Sequence, residues 1–239
     1  MTQSFKLMSY NIQCGKDRFG TPNLWQTIQT ISAQAPDIVA LQEVDKYRGI
    51  RSLYANQLRA ISESLGMQPV FGANLDSEPL APDEPRRQYG TAIMSKYNIV
   101  ASQNYHLSSF GKEQRGLLEA EIDMNGERLY VYCLHMGLTE EQRIVQAEEA
   151  LAIIKRRSGP VILAGDFNAS PDSPEVQRLL EGGFFDSFAG TANDFTFPSD
   201  EPKRRIDYML YNSRLERRRE SVIVSTASDH LPITAEFTL

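Results

Sequence analysis

Cysteine is nearly missing from this chain: of 239 residues only Cys14 and Cys133 carry a thiol, too few for a disulfide framework. A reducing, cytoplasmic setting is the simplest reading, with both thiols buried and inert. The N-terminal stretch MTQSFKLMSYNI lacks a basic start followed by a long apolar run, so neither a signal peptide nor a membrane span is expected. There is no glycine-rich phosphate loop, no internal repeat, no low-complexity tract and no Pro/Gly/Ser-rich linker. An excess of positive charge is missing too. Lys and Arg number 25 against 31 Asp and Glu, a net charge of −6. Non-specific binding of nucleic acid is driven by basic surface, so the acidic balance counts against a general nuclease. With 41% apolar and 23% charged residues, the sequence reads as one globular domain over residues 1–239.

What is present is a series of short apolar strands interrupted by a few helices. Phe5–Asn11 alternates and ends in a polar turn, as a strand would. Thr21-Pro22 offers an N-cap and a first-turn proline, with Leu24, Ile28, Ile31 and Ala35 following at helical spacing; Trp25 is assigned to that helix's apolar face. Asp37–Leu41 is a buried strand. Tyr54, Leu58, Ile61 and Leu65 mark a second helix closed by Gly66. Asn74–Arg87, rich in proline and acid, reads as a surface loop. Strands resume at Thr91–Ser95, Ile99–His106 and Leu117–Met124, and Asn125-Gly126 turns a hairpin into Leu129–Leu134. Thr139-Glu-Glu-Gln142 is a capping box opening a helix through Ile154. Pro160–Gly165, Ile206–Tyr211, Ser221–Val224 and Ile233–Phe237 complete the strands. Many strands, several in hairpins, with three or four helices predict an α+β fold: two mixed, mostly antiparallel sheets packed face to face and flanked by helices.

The polar residues of interest share one placement, the end of an apolar strand. Asn11, Glu43, His135, Asp166 and Asn168 each follow one, Asp207 lies in Arg-Ile-Asp-Tyr, and Asp229-His230 precede the last strand. Taken singly, each has a structural explanation. Gly165-Asp166-Phe167-Asn168 makes an Asx turn, Ser228-Asp229-His230 a tight turn, and a lone strand-end Glu or His a solvated or hydrogen-bonded group. Together, they place carboxylates at the ends of buried strands, which is stable only around a cation. The set is rich in oxygen and has no Cys/His cluster of zinc spacing, which points to Mg²⁺ or Mn²⁺.

The ordered segments SYNIQCG, DIVALQEVD, YGTAIMSK, CLHMGL, ILAGDFNASPDS, RRIDYML and SDHLPITAEF resemble the endonuclease/exonuclease/phosphatase superfamily, the DNase I-like fold, from Ser9 to Phe237. The resemblance implies a four-layer sandwich, one or two Mg²⁺ and hydrolysis of a phosphoester. By motif, it implies that Glu43 is the main metal ligand, assisted by Asn11 and Asp229. Asp166 would position and deprotonate the attacking water, and Asn168 would hold a non-bridging phosphate oxygen. His230, oriented by Asp207, would bind the phosphate or activate water, while His135 would donate a hydrogen bond or proton near the scissile phosphate.

The sequence also departs from that pattern. Gln13 stands where many repair enzymes of the family carry an acidic residue, and Thr91 where many relatives carry the Asn that contacts phosphate. His135 resembles the His-Leu motif of the DNase, phosphatase and tyrosyl-DNA phosphodiesterase branches, which abasic-site endonucleases usually lack. Arg115 at a strand start is a further candidate phosphate contact. The basic runs Arg86-Arg87, Lys203–Arg205 and Arg217–Arg219 are read as solvated faces, with Lys203–Arg205 in reach of a polyanionic substrate. The expectation is therefore a metal-dependent phosphomonoesterase or phosphodiesterase acting on a small or lipid-like phosphate. A nuclease is the alternative, and a catalytically silent binding module the alternative of another class.

Overall fold

The computed structural model describes residues 3–239. Their hydrophobic alternation is resolved into two six-stranded sheets. The first runs in the order β11 (Glu216–Val222), β12 (Ile233–Thr238), β1 (Ser4–Asn11), β2 (Ile38–Lys46), β4 (Arg87–Ser95), β3 (Gln68–Ser77). The second runs β5 (Ile99–Leu107), β6 (Arg115–Met124), β7 (Glu127–His135), β8 (Val161–Asp166), β10 (Asp207–Asn212), β9 (Phe184–Asp186). Both sheets have the same plan. A central parallel pair, β1 with β2 and β7 with β8, is flanked on each side by antiparallel neighbours.

The sheets face each other across a shared apolar layer that includes Leu7, Ala40, Ile93, Val131, Ile162, Met209 and Ala235. Their outer faces are covered by helices. Ile28 and Ile31 of α1 (Leu24–Gln34) and Leu58 and Ile61 of α2 (Gln57–Leu65) pack on Met8, Tyr10, Val39 and Leu41. Ala147 and Leu151 of α3 (Glu140–Ile154) and Val176 and Leu179 of α4 (Pro174–Glu181) pack on Tyr132, Leu134, Leu163 and Tyr208. Burial on both faces explains why β2 and β8 read as continuous apolar runs rather than alternating ones. Each fully buried aliphatic side chain in these layers contributes about 1.5–3 kcal/mol, and the layers fix the sheets against each other.

Local chemistry closes the elements much as the sequence suggests. Thr139 and Gln142 form the capping box of α3, Gly66 ends α2 in the left-handed conformation, and Asn125 and Gly126 both take positive φ in the β6–β7 turn. Other expectations are corrected. The α1 cap is Asn23, accepting from the Gln26 amide, and not Thr21-Pro22. Trp25 is 62% exposed, because it lies about 100° around the helix from the Leu24–Ile28–Ile31 stripe. The expected loop from Asn74 overlaps β3 (Gln68–Ser77), leaving a shorter loop at residues 78–86. Pro69, Gly72 and Asp76 disguise the strand, and they are tolerated because β3 is an edge strand. The strand expected at Ser221–Val224 is β11, which begins at Glu216.

Candidate active site

Side chains along a strand alternate between faces, so every second residue of the inner strands enters the layer between the sheets. On β1 the sequence is Leu7, Ser9, Asn11; on β7, Val131, Cys133, His135; on β8, Ile162, Ala164, Asp166. The layer thus changes from bulky apolar to small to polar side chains as it nears one edge. The register aligns the last rung: His135 lies beside Asp166, and Asp166 beside Asp207. Asn11, Asp166, His135 and Asp207 are all buried. Four groups, Asn11, Glu43, His135 and Asp166, come from the C-terminal parts of the two parallel pairs, where open sheets hold their ligands.

Glu43 has the wrong parity for this layer, since Ala40 and Gln42 are the β2 residues that point inward. A β-bulge corrects it. Leu41 faces Ala92 and Val44 faces Gly90, so Gln42 and Glu43 together oppose Thr91. Glu43 takes a φ of +58°. The extra residue reorients the carboxylate, and Asn11 Nδ2 donates to Glu43 Oε1 at 3.2 Å. On β8, Gly165 precedes the carboxylate with a φ of +154°, and a Cβ there would sit 1.8 Å from the Leu134 carbonyl oxygen. Only glycine fits this position.

Asp166 is the hub. Its Oδ1 accepts from the Asn168 backbone amide at 2.9 Å, and its Oδ2 accepts from Asn11 Nδ2 at 3.0 Å. His135 Nε2 and His230 Nε2 lie 3.5 and 3.7 Å from that same Oδ2. Burial pushes the Asp166 carboxyl up to about 6, partly opposed by His230. His230 Nδ1 sits 3.0 Å from Asp207 Oδ2, and the Phe197 ring lies against its imidazole, centroids 4.9 Å apart. Burial alone would lower the His230 pKa, but Asp207 and Asp166 outweigh it and hold the imidazole up to about 10. His135 is shifted the other way, well below the usual imidazole range, by burial, Arg115 and His230. Neighbouring groups pushed apart in this manner are characteristic of sites that move protons.

The residues singled out from sequence divide into those gathered here and those directed elsewhere. Asp229 is half-buried beside β1, where Ser228 Oγ bonds both the Asn11 carbonyl and Asp229 Oδ1. Asn168 takes a φ of +52° and donates from Nδ2 to the Met136 carbonyl. The Asn11 oxygen Oδ1 accepts from the Gln13 amide, so Asn11 presents its donor end to the two carboxylates. Thr91 Oγ1 is buried in the inter-sheet layer without a hydrogen-bond partner and points into the core. Arg115 is buried and donates to His135 Nδ1 at 3.1 Å. Sequence reasoning missed Ser228, which lies inside the SDH motif, and Phe197, for which no local signal exists. Both thiols are buried; burial pushes Cys133 up to about 12, and burial with the Glu43 charge pushes Cys14 up.

Five of the eight cations in the basic runs have carboxylate partners, while Arg87, Arg204 and Arg219 have none among the described residues, Arg204 lying over the Phe197 ring. Arg86 pairs with Asp76 and Glu78, and Lys203 with Glu201. Arg205 is buried against Asp186 and Asp194, while Arg217 and Arg218 pair with Glu220 and Glu216 at the far end of the first sheet.

The donor set fits a hard divalent cation. Glu43, Asp166, Asp207 and Asp229 bring four carboxylates to one edge, and among the described residues none of them pairs with a Lys or Arg. His230 compensates only part of that charge. Asp166, Asp207 and His230 have ligand-capable atoms within 4.8 Å of one another, but the raised imidazole already supplies the positive charge there. Among the described residues Glu43 has an amide and a thiol as donors and no cationic partner.

Residues 8–230 match the model of the Endonuclease/Exonuclease/phosphatase family. The chain is 29% identical to the Escherichia coli protein YbhP over 99% of its length and 97% of that protein. Among solved structures it resembles an endonuclease/exonuclease/phosphatase family protein from Bacteroides thetaiotaomicron, with a TM-score of 0.81 and 19% identity over 100% of this chain and 96% of that one. The mannosyl-6-phosphatase of the same organism gives a TM-score of 0.80 and 19% identity over 98% of this chain and 100% of that one.

Proposed function

Because the chain belongs to the Endonuclease/Exonuclease/phosphatase family, whose members are hydrolases acting on phosphoester bonds, we propose that it hydrolyses a small phosphomonoester or phosphodiester by direct attack of water. The observation that carries this reading is the Asp166 carboxylate held between two imidazoles of opposite character. Glu43 and Asp229, with Asn11 orienting the Glu43 carboxylate, would hold Mg²⁺ or Mn²⁺. Such a cation supplies Lewis-acid stabilisation of charge on the phosphoryl oxygens.

The remaining chemistry belongs to the chain's own side chains. Asp166 accepts the proton of the attacking water, and its raised pKa suits a base working near neutral pH. His230 is held by Asp207 as an imidazolium that faces the phosphoryl oxygens and gives its proton to the departing alcohol oxygen as the P–O bond breaks. His135 and the Asn168 amide add donors on the opposite side. No covalent nucleophile is needed, and the buried, raised thiols do not supply one.

A cavity of about 350 Å³ beside Arg115, lined by Lys112, Glu113, Leu138, Thr139 and Gln142 among others, is suited to the alcohol portion of a compact substrate. The acidic balance of the chain and the carboxylate partners of Arg86, Arg205, Arg217 and Arg218 favour a small phosphate over nucleic acid. The mannosyl-6-phosphatase likeness makes sugar phosphates the first compounds to try. The deciding experiment is a panel of phosphomonoesters, phosphodiesters, phospholipid head groups and short DNAs with Mg²⁺ or Mn²⁺ and with chelator. Hydrolysis of a small ester that chelation abolishes is the expected result. Turnover confined to DNA, or undiminished after exhaustive chelation, would overturn the reading.

A further inference from the structure

Behind the two imidazoles that face Asp166 stand partners of opposite charge. His230 Nδ1 meets the Asp207 carboxylate, an acceptor, which requires a proton on Nδ1. His135 Nδ1 meets Nη1 of Arg115 at 3.1 Å. A guanidinium has no acceptor site and does not deprotonate in proteins. That contact therefore exists only if the His135 Nδ1 lone pair is free to accept.

We propose that Arg115 is a positioning residue that fixes His135 as a neutral imidazole with its only proton on Nε2. The arrangement is built to hold. Arg115 begins β6 beside Leu107 of β5, its backbone amide donates to Ser109 Oγ, and the same Nη1 pairs with Glu113 at 2.7 Å. Both side chains are buried, with 7% of Arg115 and 5% of His135 exposed, which limits competition from water for Nδ1. The charged groups facing the ring are Arg115 from β6, Asp166 from β8 and His230 from the loop before β12. Two of these oppose a second proton on His135.

Within the proposed hydrolysis, on which the kinetic part of this inference rests, the consequence is a division of labour. His135 lends a hydrogen bond from Nε2 to a phosphoryl oxygen without giving up its proton, and it takes no part as general acid. Arg115 acts through His135 and does not touch the phosphate.

The chain has three histidines, so a ¹⁵N two-bond correlation spectrum of the imidazoles contains three patterns, and His135→Gln assigns one of them. Wild type is expected to show His135 as the neutral Nε2–H tautomer at neutral pH and on acidification to about pH 5, where an ordinary imidazole is protonated. Arg115→Met should let that ring exchange tautomers and protonate in the ordinary range; Arg115→Lys, which keeps a cationic donor, should restore the wild-type pattern. With a substrate in hand, Arg115→Met should lower kcat by about 10–100-fold with KM nearly unchanged. A His135 that is an imidazolium or an Nδ1–H tautomer in wild type overturns the proposal, and so does a loss expressed in KM alone. If no phosphoester is hydrolysed, the functional reading fails while the spectrum still decides the tautomer. Should Arg115→Met not fold, Arg115→Lys and Glu113→Gln are read by the same spectrum.

Discussion

His135 and His230 aim their Nε2 atoms at one oxygen, Asp166 Oδ2, from 3.5 and 3.7 Å. One ring has a guanidinium behind it and the other a carboxylate. The site therefore holds a neutral donor and a cationic one on either side of a carboxylate whose own pKa is raised. A phosphoryl group seated at this edge meets a base, a hydrogen-bond donor and a positive charge, each on a separate strand end or loop.

Asp166→Asn tests the base most directly. The change removes the proton acceptor but keeps the shape, so kcat should fall by about 10²–10⁴-fold. An amide has one acceptor oxygen in place of two, which leaves either the Asn11 or the Asn168 donor unmet at about 1–3 kcal/mol. A fold retained by circular dichroism with a modest drop in Tm is expected. Near-normal turnover in this variant would remove Asp166 from the water-activating role.

Stability should carry a signature of His135. Its folded pKa lies below the ordinary value near 6.5, so below that pH the unfolded chain binds a proton that the native state refuses. Native stability then rises with pH up to about 6.5 and falls below it. Asp166, raised to about 6, acts in the opposite sense: between its unfolded value near 3.8 and about 6 the native state binds the extra proton, so stability rises as pH falls. Comparing variants isolates the histidine. In urea titrations from pH 7.5 to 5, His135→Gln should lose less stability on acidification than wild type. Parallel curves would mean that His135 takes up its proton in the native state.

Much of this edge was legible in the sequence because the rule that builds it is local. Asn11, His135 and Asp166 stand two residues beyond a small residue and four beyond an apolar one on the inward face of their strands, a period-two pattern readable without coordinates. Glu43 is legible as a residue type but not as a position, since its direction depends on a bulge set by pairing with β4. Arg115 was visible as a charge at a strand start, yet its orientation toward His135 follows from the β5–β6–β7 register. β3 stayed hidden because its edge position tolerates turn-forming residues, and Trp25 was misplaced because helical spacing alone does not fix the centre of the buried stripe.

Salt offers a check on substrate class. Binding of a long polyanion to several free Lys and Arg side chains releases counterions and weakens steeply with ionic strength. Here Arg86, Arg205, Arg217 and Arg218 already have carboxylate partners. For the proposed small ester, kcat/KM should change by less than about threefold between 50 and 200 mM KCl, against the ~10³-fold or more that six phosphate contacts would bring. A steep decline would put nucleic acid ahead of the small ester.

Glu43 would link the fold to the proposed metal. It occupies a left-handed φ in a bulge, a conformation that costs about 1–2 kcal/mol for a residue with a side chain, and it has no cationic partner among the described residues. A carboxylate held at such cost, with weak donors, gains most when a cation arrives. Glu43→Gln should thus leave the metal-free protein as stable as wild type or slightly more so, because an uncompensated charge has gone. Wild type should gain Tm with added Mg²⁺ or Mn²⁺, by the linkage expected of a ligand that binds only the native state, and the variant should lose most of that gain. An equal metal-dependent shift in both proteins would place the cation away from Glu43; a variant much less stable without metal would instead make the carboxylate part of the scaffold of β2.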